Sequence, residues 1–532
     1  MRMKLQQIVN RLRRNEDGHT MIAVVGAIAL VSLLVGAALA ATNGDLRLTR
    51  RDLDDKRAYA AAQAGIADYV FHLNTDNTYW SKCTAVPSPH AVNQNGSTTN
   101  RRTVPGDTAQ YAIELIPATG QTSCSTSNPN TTMLESGSVM TGSFRIRSTG
   151  FANNAKQSVV ATFKRASLLD FLYFTQLETS DPVNYGDPAI IAGAYQQCTK
   201  YLREGRMDDP IPGSNGNEYC DRIVFVTGDN IDGPLHTNDA LQICGTPVFG
   251  RTTADSIEVS SPPTGWTGHC GGTNQPNFQG TFVTNAPVLT PPPTNAALQT
   301  IAGASNTYTG QTTIVLSGTN TIITSGGTTV TKAIPASGVI YVKNGTCSTS
   351  YSPFTITYPT TSGCGNVRVS GSYSGQLTIA TENDVIIEDD VTRSGSGMLG
   401  LIANNFIRVK HPVCPSSNLG CSSGTITSQT LSSCNSGVNG TGTQSNLTIH
   451  AAMLAINHSF IVDHYNCGAS LGELTVQGAI MQKFRGAVGT TGGTGYLKDY
   501  SYDDRLRYQE PPHFLDPIET AWHIQRQTLD FP

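Results

Sequence analysis

Charge is scarce in this chain of 532 residues: Asp, Glu, Lys and Arg make up 14%, against roughly 25% in an average soluble domain. The formal net charge of −4 argues against a broad basic surface, and no nucleic-acid partner is expected. No proline falls between Met1 and Trp80, so nothing in that stretch forces a helix to break. No cysteine precedes Cys83 and no C-x-x-C pair occurs anywhere, which removes the common spacing of a structural zinc site. The phosphate-cradling G-x-x-x-x-G-K-[ST] and the metal-binding H-E-x-x-H are missing too. No cofactor, metal or catalytic residue is assigned, and the chain is not expected to be an enzyme.

What is present begins with a basic leader carrying Arg2, Lys4, Arg11, Arg13 and Arg14, followed by NEDGHTMIAVVGAIALVSLL from Asn15 to Leu34. The run Met21 to Ala41 carries no charge, and Ser32 is its only non-apolar member. About 20 such residues span a bilayer as a helix, with the basic leader held on the cytoplasmic side. Ala38-Leu39-Ala40 before Ala41 also satisfies the small-x-small rule of secretory cleavage. Beyond the run, Leu46, Leu53 and Ala60 recur every seven residues, as do Tyr59, Ile66 and Leu73. That is helical periodicity with charges between. A continuous helix from His19 to Leu73 would measure about 80 Å.

Gly18 followed by this apolar helix after a short basic leader resembles the class III signal of type IV pilins and type II secretion pseudopilins. The continuation KRAYAAAQAGIADYVFHL, Lys56 to Leu73, resembles the helix of PilX-type minor pilins. The resemblance implies cleavage by a prepilin peptidase between Gly18 and His19, leaving His19 as the new terminus. It implies assembly with other pilin-like subunits through a membrane helix that includes Met21, Ile22, Ala23, Leu30, Leu33 and Leu34. Ordinary pilins begin with Phe and carry Glu at the fifth mature position; here those places hold His19 and Ala23. A carboxylate in lipid is retained where a partner exists, so its absence points to a minor subunit rather than the major one.

The 12 cysteines are even in number and all lie beyond the apolar run, as disulfides in an oxidising exterior require. Closeness in sequence pairs Cys83 with Cys124, Cys198 with Cys220, Cys244 with Cys270, and Cys347 with Cys364. Cys414, Cys421, Cys434 and Cys467 complete the set with connectivity left open.

Short strands are expected at Tyr111–Ile116, Ser143–Ser148 and Ser158–Phe163, forming a small antiparallel sheet on the outer half of the helix. Phe171, Tyr173 and Phe174 read as core. From Arg222 onward, short Val- and Ile-rich runs alternate with polar corners. HTNDALQI, TENDVIIE, ANNFIRV and INHSFIV each set Asn before an apolar strand. Such repetition points to stacked coils of a parallel β-solenoid, with β-sandwich domains as the alternative. The expected organisation is a leader (1–18), a transmembrane and assembly helix (19–42), its exposed continuation (43–80), a pilin-like β segment (81–180), a solenoid-like body (181–495) and a terminal cap (496–532).

Glu388, Asp389, Asp390 and Arg393 form the densest charged cluster, which reads as a solvated turn rather than a cation site. His450, His458, Asp463 and His464 are close in sequence, but strand alternation sends neighbours to different faces. The resulting expectation is a mainly β, membrane-inserted pilin-like subunit displaying its body at the cell surface for filament assembly or adhesion, its surface ligand unknown. The alternative is a secreted or anchored β-helical protein that binds or cleaves carbohydrate.

Overall fold

The computed structural model describes residues 2–76, 78–86, 90–135, 143–165, 167–185, 188–208, 220–348, 351, 353, 358, 361–415, 437–490, 492–507, 509–518 and 522–530. Strand exceeds helix, and no pairing closes a sheet into a barrel among these residues. The chain forms two compact units. The first comprises 1–136, 142–164 and 522–532, and the second 137–141 and 165–521.

In the first unit, helix α1 runs Arg2–Thr75. Its last turns bury Ala58, Ala61, Ala62, Ile66, Tyr69 and Leu73, which recur at the three- and four-residue steps of one helix face. They cover an antiparallel sheet whose central strand, Phe144–Ala152, pairs on one side with Gln110–Ile116 and on the other with Ala155–Arg165. The two-residue link Asn153-Asn154 closes this last hairpin, and Asn153 takes the positive φ of 50° that the tight turn needs. Phe144 and Phe163 are opposed across it and stack 5.1 Å apart beneath Tyr69.

Of the heptad positions expected from sequence, Ile66 and Leu73 lie on the buried face and the other described ones do not. Leu53 and Tyr59 are exposed, Ala60 lies outward, and the side chain of Leu46 is outside the described residues. A straight helix drifts by about 20° per heptad, so a strict seven-residue repeat leaves any flat partner. Contact follows small residues instead. A Cβ on Gly150 would lie 1.9 Å from the carbonyl oxygen of Ala58 and 2.5 Å from the amide nitrogen of Ala62.

The second unit is dominated by parallel ladders. Gln376–Thr381 pairs with Met398–Ala403, which pairs with Leu447–Ala455, and that with Ser470–Phe484. Ser470–Phe484 then pairs with Tyr173–Leu177, which lies far back in the sequence, and the ladder continues through Leu235–Thr237, Ser256–Val259 and Thr281–Thr284. A companion ladder joins Thr312–Gly318, Val367–Tyr373, Val385–Arg393, Ile407–Val409 and Phe460–Val462. Antiparallel pairing enters this sheet where Thr312–Gly318 meets Asn320–Ser325, and that strand meets Thr328–Ala333. Asparagines stack at the corners: Asn405 donates to Asn383 at 2.6 Å, and Asn457 donates to the carbonyl of Asn404 at 2.7 Å.

Two expected boundaries move. Tyr173–Leu177 belongs to the second unit rather than to the small sheet, because Tyr173 and Phe174 are buried in its core. The tail is not a single cap. Gly495–Tyr502 is a ladder strand carrying buried Tyr496, Tyr500 and Tyr502, whereas Trp522–Asp530 joins Ala155–Arg165 in the first unit.

Gly150→Ala is expected to destabilise the first unit by about 1–3 kcal/mol through overpacking against backbone. Denaturant unfolding followed at Trp80 and Trp522 measures it. Gly36→Ala, in helix α1 at a site with nothing within 4 Å, is the control: it is expected to lose nothing and to gain up to about 1 kcal/mol of helix propensity.

Candidate functional site

The apolar part of α1 is uncovered. Every described side chain from Met21 to Ala38 is exposed, Met21 at 72% and Leu33 at 75%. Leu30 and Leu34 are each about as open, and Ala23 lies in the same exposed stretch. Gly18, His19 and Ile22 have side chains outside the described residues, as do 39–48. Among the described residues, no helix is long and apolar enough to cross a membrane.

Lower down, polar ties anchor the helix to its sheet. Arg57 pairs with Asp107, Asn153 donates to Asp54 at 2.8 Å, and Arg102 pairs with Asp68. One turn after Asp68, His72 meets His90: Nε2 of the first and Nδ1 of the second are 3.0 Å apart. Sequence reasoning singled out none of Asp68, His72 and His90. The four-residue step from Asp68 to His72 on a known helix was the available signal.

Disulfides join Cys83 to Cys124, Cys198 to Cys220, Cys244 to Cys270 and Cys347 to Cys364, the four pairs that are close in sequence. Cys467 is also disulfide-bonded. The side chain of Cys414 and the whole of Cys421 and Cys434 lie outside the described residues.

The charged cluster of the second unit resolves into separate ion pairs. Glu388 accepts from Arg368 and Lys410, at 2.8 and 2.9 Å. Asp390 accepts from the Thr448 amide, Asp389 is exposed, and Arg393 reaches Asp503 at 2.7 Å and Gln477 at 3.2 Å. These carboxylates do not converge on one point. The histidines also have different partners. His450 accepts from the Arg393 amide, His458 meets Asp181 at 2.8 Å, and His464 Nδ1 meets the His411 carbonyl at 2.9 Å. Asp463 accepts from the Tyr351 and Tyr358 hydroxyls, both at 2.7 Å.

Gly468-Ala469-Ser470-Leu471-Gly472 has the spacing of a nucleophile elbow, a match that the sequence reading passed over. Ser470 opens a strand rather than a strand-to-helix turn, and its hydroxyl accepts from the Gly472 amide at 3.3 Å. The elbow geometry is not there.

The second unit also buries a polar network with no signature in sequence. Arg485, 1% exposed, lies 3.4 Å over the Phe225 ring, pairs with buried Glu178 at 3.3 Å and donates to the Ile223 carbonyl at 2.9 Å. Burial pushes the Glu178 carboxyl up, opposed by Arg485. Asp239 takes the Glu178 amide, the Leu202 amide and the Arg206 guanidinium. Lys498 pairs with Asp229 at 2.9 Å beside the same Phe225. Each charge here has a partner, as burial demands, and the arrangement is structural.

No protein-family model and no curated protein matches the chain. Among solved structures it is similar to the competence-associated pilin ComZ from Thermus thermophilus, with 10% identity, a TM-score of 0.33, and coverage of 90% of this chain and 98% of that one.

Arg485→Ala is expected to cost about 3–5 kcal/mol, because it leaves Glu178 buried without its counter-ion; a lowered denaturant midpoint of the second unit reports it. A pH effect follows from His464, whose pKa burial lowers below 6.5 and whose Nε2 has no hydrogen-bond partner among the described residues. The folded state then binds fewer protons than the unfolded one, so stability is full above about pH 6.5 and falls as the pH drops below it. His464→Asn keeps a donor and suits the φ of 47°. Between pH 7 and 5.5 its melting temperature is expected to fall less than that of the unsubstituted chain.

Proposed function

We propose that this protein is a membrane-inserted, pilin-like structural subunit of the minor pilin or pseudopilin type, and that it is not an enzyme. The observation that carries the reading is the uncharged run Met21–Ala41 at the head of α1, whose described side chains stand open to the surroundings. Apolar surface of that extent calls for lipid or for helices of other subunits. The last stretch of the same helix, from Ala58, is covered by its own sheet, which separates an anchoring and assembling part from a folded, displayed part.

In this reading the leader stays cytoplasmic and a prepilin peptidase cuts between Gly18 and His19. The disulfide-bearing units stand outside, where oxidation is sustained. The parallel ladders with asparagine corners are read as a β-solenoid, a rigid body suited to display in a filament or to adhesion. Ala23 in place of a membrane carboxylate fits a subunit that does not build the bulk of the fibre.

Terminal sequencing of the mature protein tests this directly. His19 is the expected first residue. Ala41 would remove the helix and with it the assembly role, and Met1 would leave an unprocessed anchor. In a second test, Leu30→Lys with Leu33→Lys is expected to move the protein out of the carbonate-resistant membrane fraction, since each charge costs about 2.5–3.5 kcal/mol at a helix centre in the bilayer.

A further inference from the structure

We propose that Asp68, His72 and His90 form a binding site for one divalent transition-metal ion of the Zn²⁺ or Cu²⁺ class. Bound there, the ion fastens the end of α1 to the segment that enters the sheet. One ligand atom from each residue lies within 4.8 Å of the others. The His72 and His90 nitrogens are 3.0 Å apart, and His72 Nε2 is 3.6 Å from Asp68 Oδ1. Tetrahedral bonds of 2.0–2.1 Å place two nitrogens about 3.3 Å apart, so small side-chain shifts admit an ion. Two imidazoles and one carboxylate select a borderline ion over Ca²⁺ or Mg²⁺, which take oxygen ligands.

The surroundings hold these groups in place. Tyr79 stacks on His72 at 4.9 Å, and its hydroxyl donates to the His90 carbonyl at 3.3 Å. Arg102 pairs with Oδ2 of Asp68 and leaves Oδ1 turned towards His72. Such outer contacts orient ligands in metal sites. The competing account is a plain His–His hydrogen bond beside an Arg–Asp pair, with no ion involved. The site is near the covalent link Cys83–Cys124 in sequence, and a metal would add a second, reversible tie across 72–90. The inference stands apart from the assembly reading.

The full-length chain, purified in detergent and stripped with EDTA, is titrated with Cu²⁺ and examined by electron paramagnetic resonance. One equivalent with superhyperfine coupling to two nitrogens is expected, reduced to one nitrogen in His90→Gln. Calorimetric Zn²⁺ affinity is expected to fall at least about tenfold in the same variant, while His513→Gln, at an exposed position, leaves it unchanged. In the unsubstituted chain, Zn²⁺ is expected to protect His72 and His90 from carbethoxylation, a readout that does not depend on how variants fold. Unchanged modification of both histidines with Zn²⁺ present overturns the proposal, as does uptake that is absent or indifferent to His90→Gln.

Discussion

The second unit depends on the seam between its two ends, where Ser470–Phe484 lies parallel to Tyr173–Leu177, with Ile480 opposite Tyr173 and Phe484 opposite Leu177. This pairing, together with that of Gly495–Tyr502 on Asn230–Asp232, joins the beginning of the unit to its end. A single short strand has no core of its own, and its apolar side chains leave water only when a neighbour lies above or below. Without these contacts, Gln376–Thr381 through Ser470–Phe484 would form one stack and Leu235–Thr237 through Thr281–Thr284 another, each with a bare end.

Polar groups concentrate at that seam. Arg485 reaches Glu178, Gln482 donates to the Tyr173 hydroxyl at 3.0 Å, and His458 meets Asp181. Buried ion pairs contribute little net stability compared with apolar packing. Their value here lies in alignment. A strand displaced by one residue turns every side chain to the opposite face; Leu177 and Phe484 could then exchange apolar surroundings, but Arg485 and Glu178 would each be left charged and unpaired. Greasy contacts close the seam, and the ions set its register.

What was legible in the sequence was local. Disulfides with separations of 17 to 41 residues, the strands at Ser143–Ser148 and Ser158–Phe163 and the asparagine corners all rest on neighbours along the chain, and residue type reports them. The seam does not: 307 positions separate Arg485 from Glu178, and nothing in either local stretch names the other. The helix stripe was only half right for a related reason: Ile66 and Leu73 are buried, Leu53 and Tyr59 are not. Heptad counting assumes a partner that follows the helix, whereas the sheet comes closest where Gly150 admits Ala58 and Ala62. The assignment of 496–532 to one cap failed because strand composition does not say which sheet a strand joins. Asp68, His72 and His90 are separated by a loop and a disulfide, so their meeting also depends on the fold.

The first unit takes its edge strand, Trp522–Asp530, from the far end of the chain. Trp522 supplies the ring that meets Phe144 at 4.7 Å and Trp80 at 5.6 Å. During synthesis the rest of that sheet emerges early, and until Trp522–Asp530 follows, the outer edge of Ala155–Arg165 is an open template for foreign strands. The sheet of the first unit thus closes only once Trp522–Asp530 has been made, after the strands of the second unit.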